Sequence, residues 1–119
     1  MFELQVDDTF DSAHALRGYK GSCENIHGHT WKIQISLKGD NLNSIGILHD
    51  FRDIREKLGS VVKYLDHKFL NDLEEFQEIN PSSENIAKVF YHKLKKEIPA
   101  ISKLTVWETP QTCASFSEE

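Results

Sequence analysis

His27-Gly28-His29-Thr30-Trp31-Lys32-Ile33-Gln34-Ile35-Ser36-Leu37 alternates without a break. His27, His29, Trp31, Ile33, Ile35 and Leu37 share one parity, and Gly28, Lys32, Gln34 and Ser36 the other. A period of two is the signature of a strand with one buried face. Gly39-Asp40-Asn41 closes it with turn chemistry. Upstream, Phe2, Leu4, Val6, Phe10 and His14 share a parity, which predicts a long first strand with a bend at Asp7-Asp8. The two strands are expected to pair as a long hairpin, with residues 15–26 at its tip. Downstream, Asp50 reads as an N-cap ahead of Phe51, Ile54, Leu58, Val61, Val62 and Leu65 at helical spacing. Leu65-Asp66-His67 falls at the end of that helix. Ser82 or Ser83 caps a second helix carrying Ile86, Val89, Phe90 and Leu94, and Pro99 stops it. Leu104 to Thr109 and Thr112 to Phe116 read as strands joined at Pro110-Gln111. The order β-β-α-α-β-β predicts an α+β domain, with two helices on one face of an antiparallel four-stranded sheet. Such a sheet has edges to cover, and oligomerisation would cover them.

The composition bounds the function. A chain of 119 residues is one domain, 1–119, burying roughly two thirds of its unfolded surface. Lys plus Arg is 14 against 19 for Asp plus Glu, a formal charge of −5, which argues against a nucleic-acid binder. No apolar run approaches the ~20 residues that cross a bilayer. Met1-Phe2-Glu3-Leu4-Gln5 lacks the basic-then-apolar order of a signal peptide, so the expected compartment is the cytosol. Cys23 and Cys113 are then thiols.

The histidines carry the chemistry. His27 and His29 stand at i and i+2, so on a strand both imidazoles point to one face. A third imidazole would complete a nitrogen set suited to Zn²⁺, and His14, at the end of the first strand, approaches both in the predicted hairpin. Cys23, separated from His27 by three residues, leaves two possibilities open. As a fourth ligand it would close a structural zinc site; as a free thiol beside a cation it would have a lowered pKa and act as a base. Asp66-His67 offers a carboxylate beside an imidazole, the makings of an acid–base pair. Glu108 shares parity with Leu104 and Val106 and is expected to point inward. There it needs hydrogen-bond donors, which a flat heterocycle bearing an N–H and an amino group would supply; the plain alternative is an exposed strand-end carboxylate. Cys113 reads as an ordinary buried cysteine. His92 belongs to a solvated helix face, and neither it nor His49 has a partner motif.

Five motifs occur in order: Cys23-Glu24-Asn25-Ile26-His27-Gly28-His29, Gly46-Ile47-Leu48-His49-Asp50-Phe51, Leu65-Asp66-His67-Lys68-Phe69-Leu70-Asn71, Asn80-Pro81-Ser82-Ser83-Glu84-Asn85-Ile86-Ala87, and Glu108-Thr109. Together they resemble the 6-pyruvoyl-tetrahydropterin synthase superfamily over nearly the whole chain. The resemblance implies a tunnelling fold, in which sheets of several subunits join into a barrel. It implies a homohexamer of two stacked trimers with active sites between subunits. It implies catalytic zinc on His14, His27 and His29, Cys23 as thiol base, and Asp66 with His67 as the proton-relay pair. Glu108, with the backbone around Thr109, would anchor a pterin ring in a neighbouring subunit's site.

The three-residue interval between Cys23 and His27 resembles the bacterial carboxy-forming branch that serves queuosine biosynthesis. Animal pyruvoyl-forming members carry a longer interval. His49 and Phe116 depart from the usual aliphatic and Tyr at their positions. The implied reaction turns 7,8-dihydroneopterin triphosphate into 6-carboxy-5,6,7,8-tetrahydropterin, acetaldehyde and triphosphate. Arg17, Lys20 and Lys68 lie near the motifs and are candidates for the triphosphate. The alternatives are a pyruvoyl-forming synthase on the same scaffold and a non-catalytic module with structural zinc. Cys23→Ala separates the roles of the thiol. A base predicts retained zinc and fold with turnover lost; a structural ligand predicts weaker zinc and a lower Tm, both measurable on the purified variant.

Overall fold

Pairing of the two long strands organises the chain. In the computed structural model, which describes residues 1–18 and 24–118, β1 (Phe2–His14) and β2 (His27–Gly39) run antiparallel. Their register is unbroken from Phe2↔Gly39 to His14↔His27. Helix α1 (Phe51–Leu65), helix α2 (Ser83–Lys95), β3 (Ile101–Thr109) and β4 (Thr112–Phe116) follow, and the sheet order is β1-β2-β3-β4. The expected α+β architecture is therefore present. Two short 3₁₀ turns, Leu70–Asp72 and Glu74–Phe76, lie between the helices where no periodic signal announces them.

Both helices start where their caps dictate. The Asp50 side chain accepts from the Arg52 N–H, and Ser82 accepts from the Asn85 N–H. One face of the sheet is the core. Val6 and Phe10 of β1, Trp31, Ile33, Ile35 and Leu37 of β2, and Leu104 and Val106 of β3 are buried there. Against them pack Ile54, Leu58 and Leu65 from α1, and Ile86, Phe90 and Leu94 from α2. Phe2 and Phe51, which share the parity of these stripes, stay about half exposed because they sit at element ends. Leu48 packs closely on Gly39: a Cβ there would meet Leu48 Cδ1 at 2.6 Å, so the leucine side chain would have to shift.

Cys113 is exposed, which corrects the expectation that it is buried. It pairs across from Trp107 on the helix-free face of the edge strand β4, where none of the described residues covers it.

Two irregularities aim the functional end of the sheet. The β3–β4 register shifts between Trp107 and Thr109, so Glu108 stands opposite no β4 residue. Such a bulge re-aims a side chain. Beyond α1, His67 adopts φ 55°, a left-handed conformation for which His is several-fold enriched. That reversal sends residues 67–69 along the outer edge of β1. The His67 N–H donates to the Asp11 carbonyl (2.6 Å), the Ala13 N–H donates to the Lys68 carbonyl (3.0 Å), and Ala13 bridges Phe69.

Phe90→Ala should cost about 3–5 kcal/mol of unfolding free energy, because the ring is fully enclosed between the helices and the sheet. Urea denaturation with an unchanged m-value is the check.

Candidate metal centre and acid–base pair

The end of the β1–β2 hairpin gathers the predicted ligands. His14 and His27 are direct cross-strand partners, and His29 lies two residues further along β2 on the same face. Their rings pack edge to face, with centroids 4.5 Å apart for His14 and His27, 5.6 Å for His14 and His29, and 4.9 Å for His27 and His29. Trp31 supports them from below, 4.8 Å from the His14 ring and 5.5 Å from that of His29. Its indole N–H is tied to the Ser12 carbonyl at 3.0 Å.

The chain after His14 is clamped by two amides that sequence reading left without a role. Asn71 exchanges two hydrogen bonds with the Ala15 backbone, and Asn80 two with that of Arg17. Each acts as a short stretch of surrogate strand.

Glu108 comes from β3 of the same chain to the focus of the imidazoles. Its Oε1 lies 2.9 Å from His14 Nε2, 3.2 Å from His29 Nε2 and 3.8 Å from His27 Nε2. The resemblance assigned Glu108 to a neighbouring subunit's site; the fold seats it in this chain's own cluster.

The tautomers decide what the cluster can hold. His14 Nδ1 is 2.7 Å from the Pro81 carbonyl and His27 Nδ1 is 2.8 Å from the Asn25 carbonyl. A carbonyl only accepts, so both Nδ1 atoms carry the proton. In the neutral rings each Nε2 then presents a lone pair toward the carboxylate, and lone pair against lone pair is repulsive unless a cation stands between. His29 Nε2 is buried and, at 3.2 Å from Glu108 but poorly aligned, makes no hydrogen bond. Burial lowers the pKa of His29; the Glu108 carboxylate opposes that shift, and His27 and His14 add to it. The three Nε2 atoms are a donor set that could hold a divalent metal, with the Glu108 carboxylate beside it, and imidazole nitrogen suits zinc.

The second predicted pair also forms. His67 Nδ1 is 2.8 Å from Asp66 Oδ2, and Asp66 Oδ1 accepts the Asp11 N–H at 2.8 Å. The Asp66 pKa is lowered, first by that backbone N–H and then by His67. The His67 ring is 79% exposed, so its second nitrogen is free to exchange protons. An open recess of about 530 Å³ is lined by both His67 and His29. Asp11 was missed by sequence reading. It also accepts from the Thr30 hydroxyl at 2.5 Å, which joins the pair to the strand that carries His29. No motif announces it, because its contacts are backbone contacts that only the folded edge creates.

Cys23 and Lys20 lie outside the described residues. Thr109 lines a second cavity beside His29 and Glu108. Arg17 donates to the Ile79 and Asn71 carbonyls, 3.2 Å each, and Lys68 donates to the Tyr64 carbonyl at 3.2 Å. His49, without a motif, pairs with Asp53 at 2.6 Å, and Lys57 meets the same carboxylate at 2.8 Å. His92 packs beside Tyr91 and Phe116.

Residues 3–119 match the family model described as 6-pyruvoyl tetrahydropterin synthase. The chain belongs to that family. It is 30% identical to the 6-carboxy-5,6,7,8-tetrahydropterin synthase of Haemophilus influenzae, over 99% of this chain and 100% of that one. It is 33% identical to the Bacillus subtilis protein of the same name, over 92% of this chain and 80% of that one. It is 32% identical to the dihydroneopterin monophosphate aldolase of Pyrococcus furiosus, over 84% and 83%. Among solved structures, the 6-pyruvoyl tetrahydropterin synthase of Caenorhabditis elegans superposes with a TM-score of 0.90 at 25% identity, covering 99% of this chain and 96% of that one. The family's fold is thus the fold described above. No helix among the described residues is long and apolar enough to cross a membrane.

Asp66→Ala should lower stability in a pH-dependent way. A carboxylate held below its ordinary value of 3.8 stabilises the fold above that value and loses its contribution as pH falls through the lowered one. The gap between wild type and variant in urea should be widest near neutrality and shrink toward pH 3; a gap independent of pH would contradict this.

Proposed function

We propose that this protein is a zinc-dependent lyase that converts 7,8-dihydroneopterin triphosphate to 6-carboxy-5,6,7,8-tetrahydropterin, acetaldehyde and triphosphate, in queuosine (7-deazaguanine) biosynthesis. The observation that carries the reading is the convergence of three imidazoles, two with their Nδ1 protons committed to carbonyls, on one point where a metal would meet three nitrogen donors. The names of the similar bacterial proteins supply the substrate class.

His14, His27 and His29 would hold the zinc, which when bound supplies Lewis-acid polarisation of the substrate's side-chain hydroxyls. The remaining work belongs to the chain. Cys23, four residues before His27 in sequence, is the thiol base. Asp66 holds the His67 ring at Nδ1, so His67 exchanges a proton from the open recess. Glu108, 30% exposed, is the carboxylate available to the pterin's N–H and amino donors, with the Thr109 backbone beside it. We further propose a homohexamer of two stacked trimers in the cytoplasm, with active sites completed between subunits. The support for it is the edge strand β4 and the first half of β1, whose outer sides carry no further strand among the described residues.

Zinc-loaded protein given the triphosphate should release acetaldehyde in step with triphosphate. Chelation should abolish turnover, re-addition of zinc should restore it, and His29→Ala should lose tight zinc and turnover together. Formation of 6-pyruvoyl-tetrahydropterin alone would select the pyruvoyl-forming alternative. The similarity to the archaeal aldolase favours a second test: cleavage of the monophosphate rather than the triphosphate would transfer the assignment there. Stoichiometric zinc without any turnover would leave a non-catalytic zinc module.

A further inference from the structure

Two of the cations near the motifs in sequence, Arg17 and Lys68, are engaged elsewhere. The Arg17 guanidinium and the Lys68 ammonium both donate to main-chain carbonyls. A different lysine faces the larger cavity beside the metal centre. Pairing of β2 with β3 ends at Lys32↔Trp107, while β2 continues to His27. Beside the length of β2 that β3 does not pair lies a groove of about 550 Å³, lined by His29, Glu108, Thr109, Lys32 and Trp107 among others. Thr9, Lys32 and Trp107 form one cross-strand row, so their side chains share the helix-free face.

Lys32 is held in that row by an aromatic face rather than by an acid. Its ammonium sits 4.5 Å from the centroid of the Trp107 ring, and none of the ion pairs among the described residues involves it. An ammonium over an indole keeps its remaining N–H donors for a further partner. Trp107 adds a buried indole N–H with no hydrogen-bond partner. Gly28 leaves the groove floor bare, and a Cβ there would meet nothing closer than the Ser12 carbonyl at 3.9 Å, so folding of this chain does not demand the empty space.

We infer that Lys32, seated on Trp107, is the cation that receives the phosphate end of a phosphorylated pterin whose ring lies toward Glu108; this rests on the pterin reading above. The same groove is lined by His29, Glu108 and this lysine, so a ligand with hydroxyls at the imidazoles and an anionic ester beyond them has a cation within it.

The test compares two unreactive fluorescent probes, neopterin triphosphate and neopterin, bound to the zinc-loaded protein and followed by pterin fluorescence. Lys32→Gln keeps the aliphatic stem on the indole and removes the charge. It should weaken the triphosphate roughly tenfold, the scale of one charge-assisted hydrogen bond, and leave neopterin within about twofold. Lys32→Arg should restore the triphosphate, and the difference between variants should narrow with added salt. Unchanged binding of both probes, equal weakening of both, or selective loss in Lys68→Gln instead would overturn the assignment while leaving the pterin reading intact. Failure of the wild type to bind either probe would overturn both.

Discussion

The register of the β1–β2 hairpin is the constraint on which the site rests. Because side chains alternate, a slip of one residue would turn the aligned parity of one strand away from the other. His14 would leave the face shared by His27 and His29, and Phe10 would leave Trp31, on which it now stacks with planes 3° apart. The apolar pairs lower in the hairpin therefore hold the imidazoles at its end. Core packing and ligand geometry are one set of contacts read at two ends of the same strands.

Electrostatics then sets what the site can hold. The carbonyls of Pro81 and Asn25 take the Nδ1 protons of His14 and His27, which leaves lone pairs directed at the Glu108 carboxylate. A ring proton or a bound cation at the focus would meet those lone pairs. The tether on His14 comes from the segment just before α2, and Glu108 from the bulge in β3. Elements distant in sequence thus converge to build a cation site on the hairpin's end. The −5 charge of the chain is no obstacle to an anionic ligand there, because local cations set the field that such a ligand meets.

The Asp66–His67 pair reaches the same place by another route. It is bound to the edge of β1 by main-chain bonds to Asp11, and Asp11 is bound in turn to Thr30 beside His29. The proton-transfer pair and the imidazole cluster are thereby fixed to the same two strands. The same segment covers the outer edge of β1, so one turn of chain after α1 both blunts an exposed edge and positions a functional side chain.

The sequence by itself determined the elements, because periodicity and capping are local. The alternation of residues 27–37, the caps Asp50 and Ser82, and the turn at Pro110-Gln111 specified strands and helices that the fold contains. His14, His27 and His29 were legible as one group because strand parity and a hairpin suffice to bring them together. Only the tertiary structure decided the rest. Glu108 points inward by the parity the sequence already shows, but its meeting with this chain's own histidines depends on β3 pairing beside β2, which no residue pattern marks. Cys113 stayed in solvent because β4 is an edge, which depends on strand order rather than on the strand's own composition. Arg17 and Lys68 were drawn into carbonyl contacts, while Lys32, which reads as an ordinary polar position in an alternating strand, came to face the cavity. Charge near a motif in sequence is a weak guide to charge near a ligand, since the distance that matters is set by which strands pair and where the pairing stops.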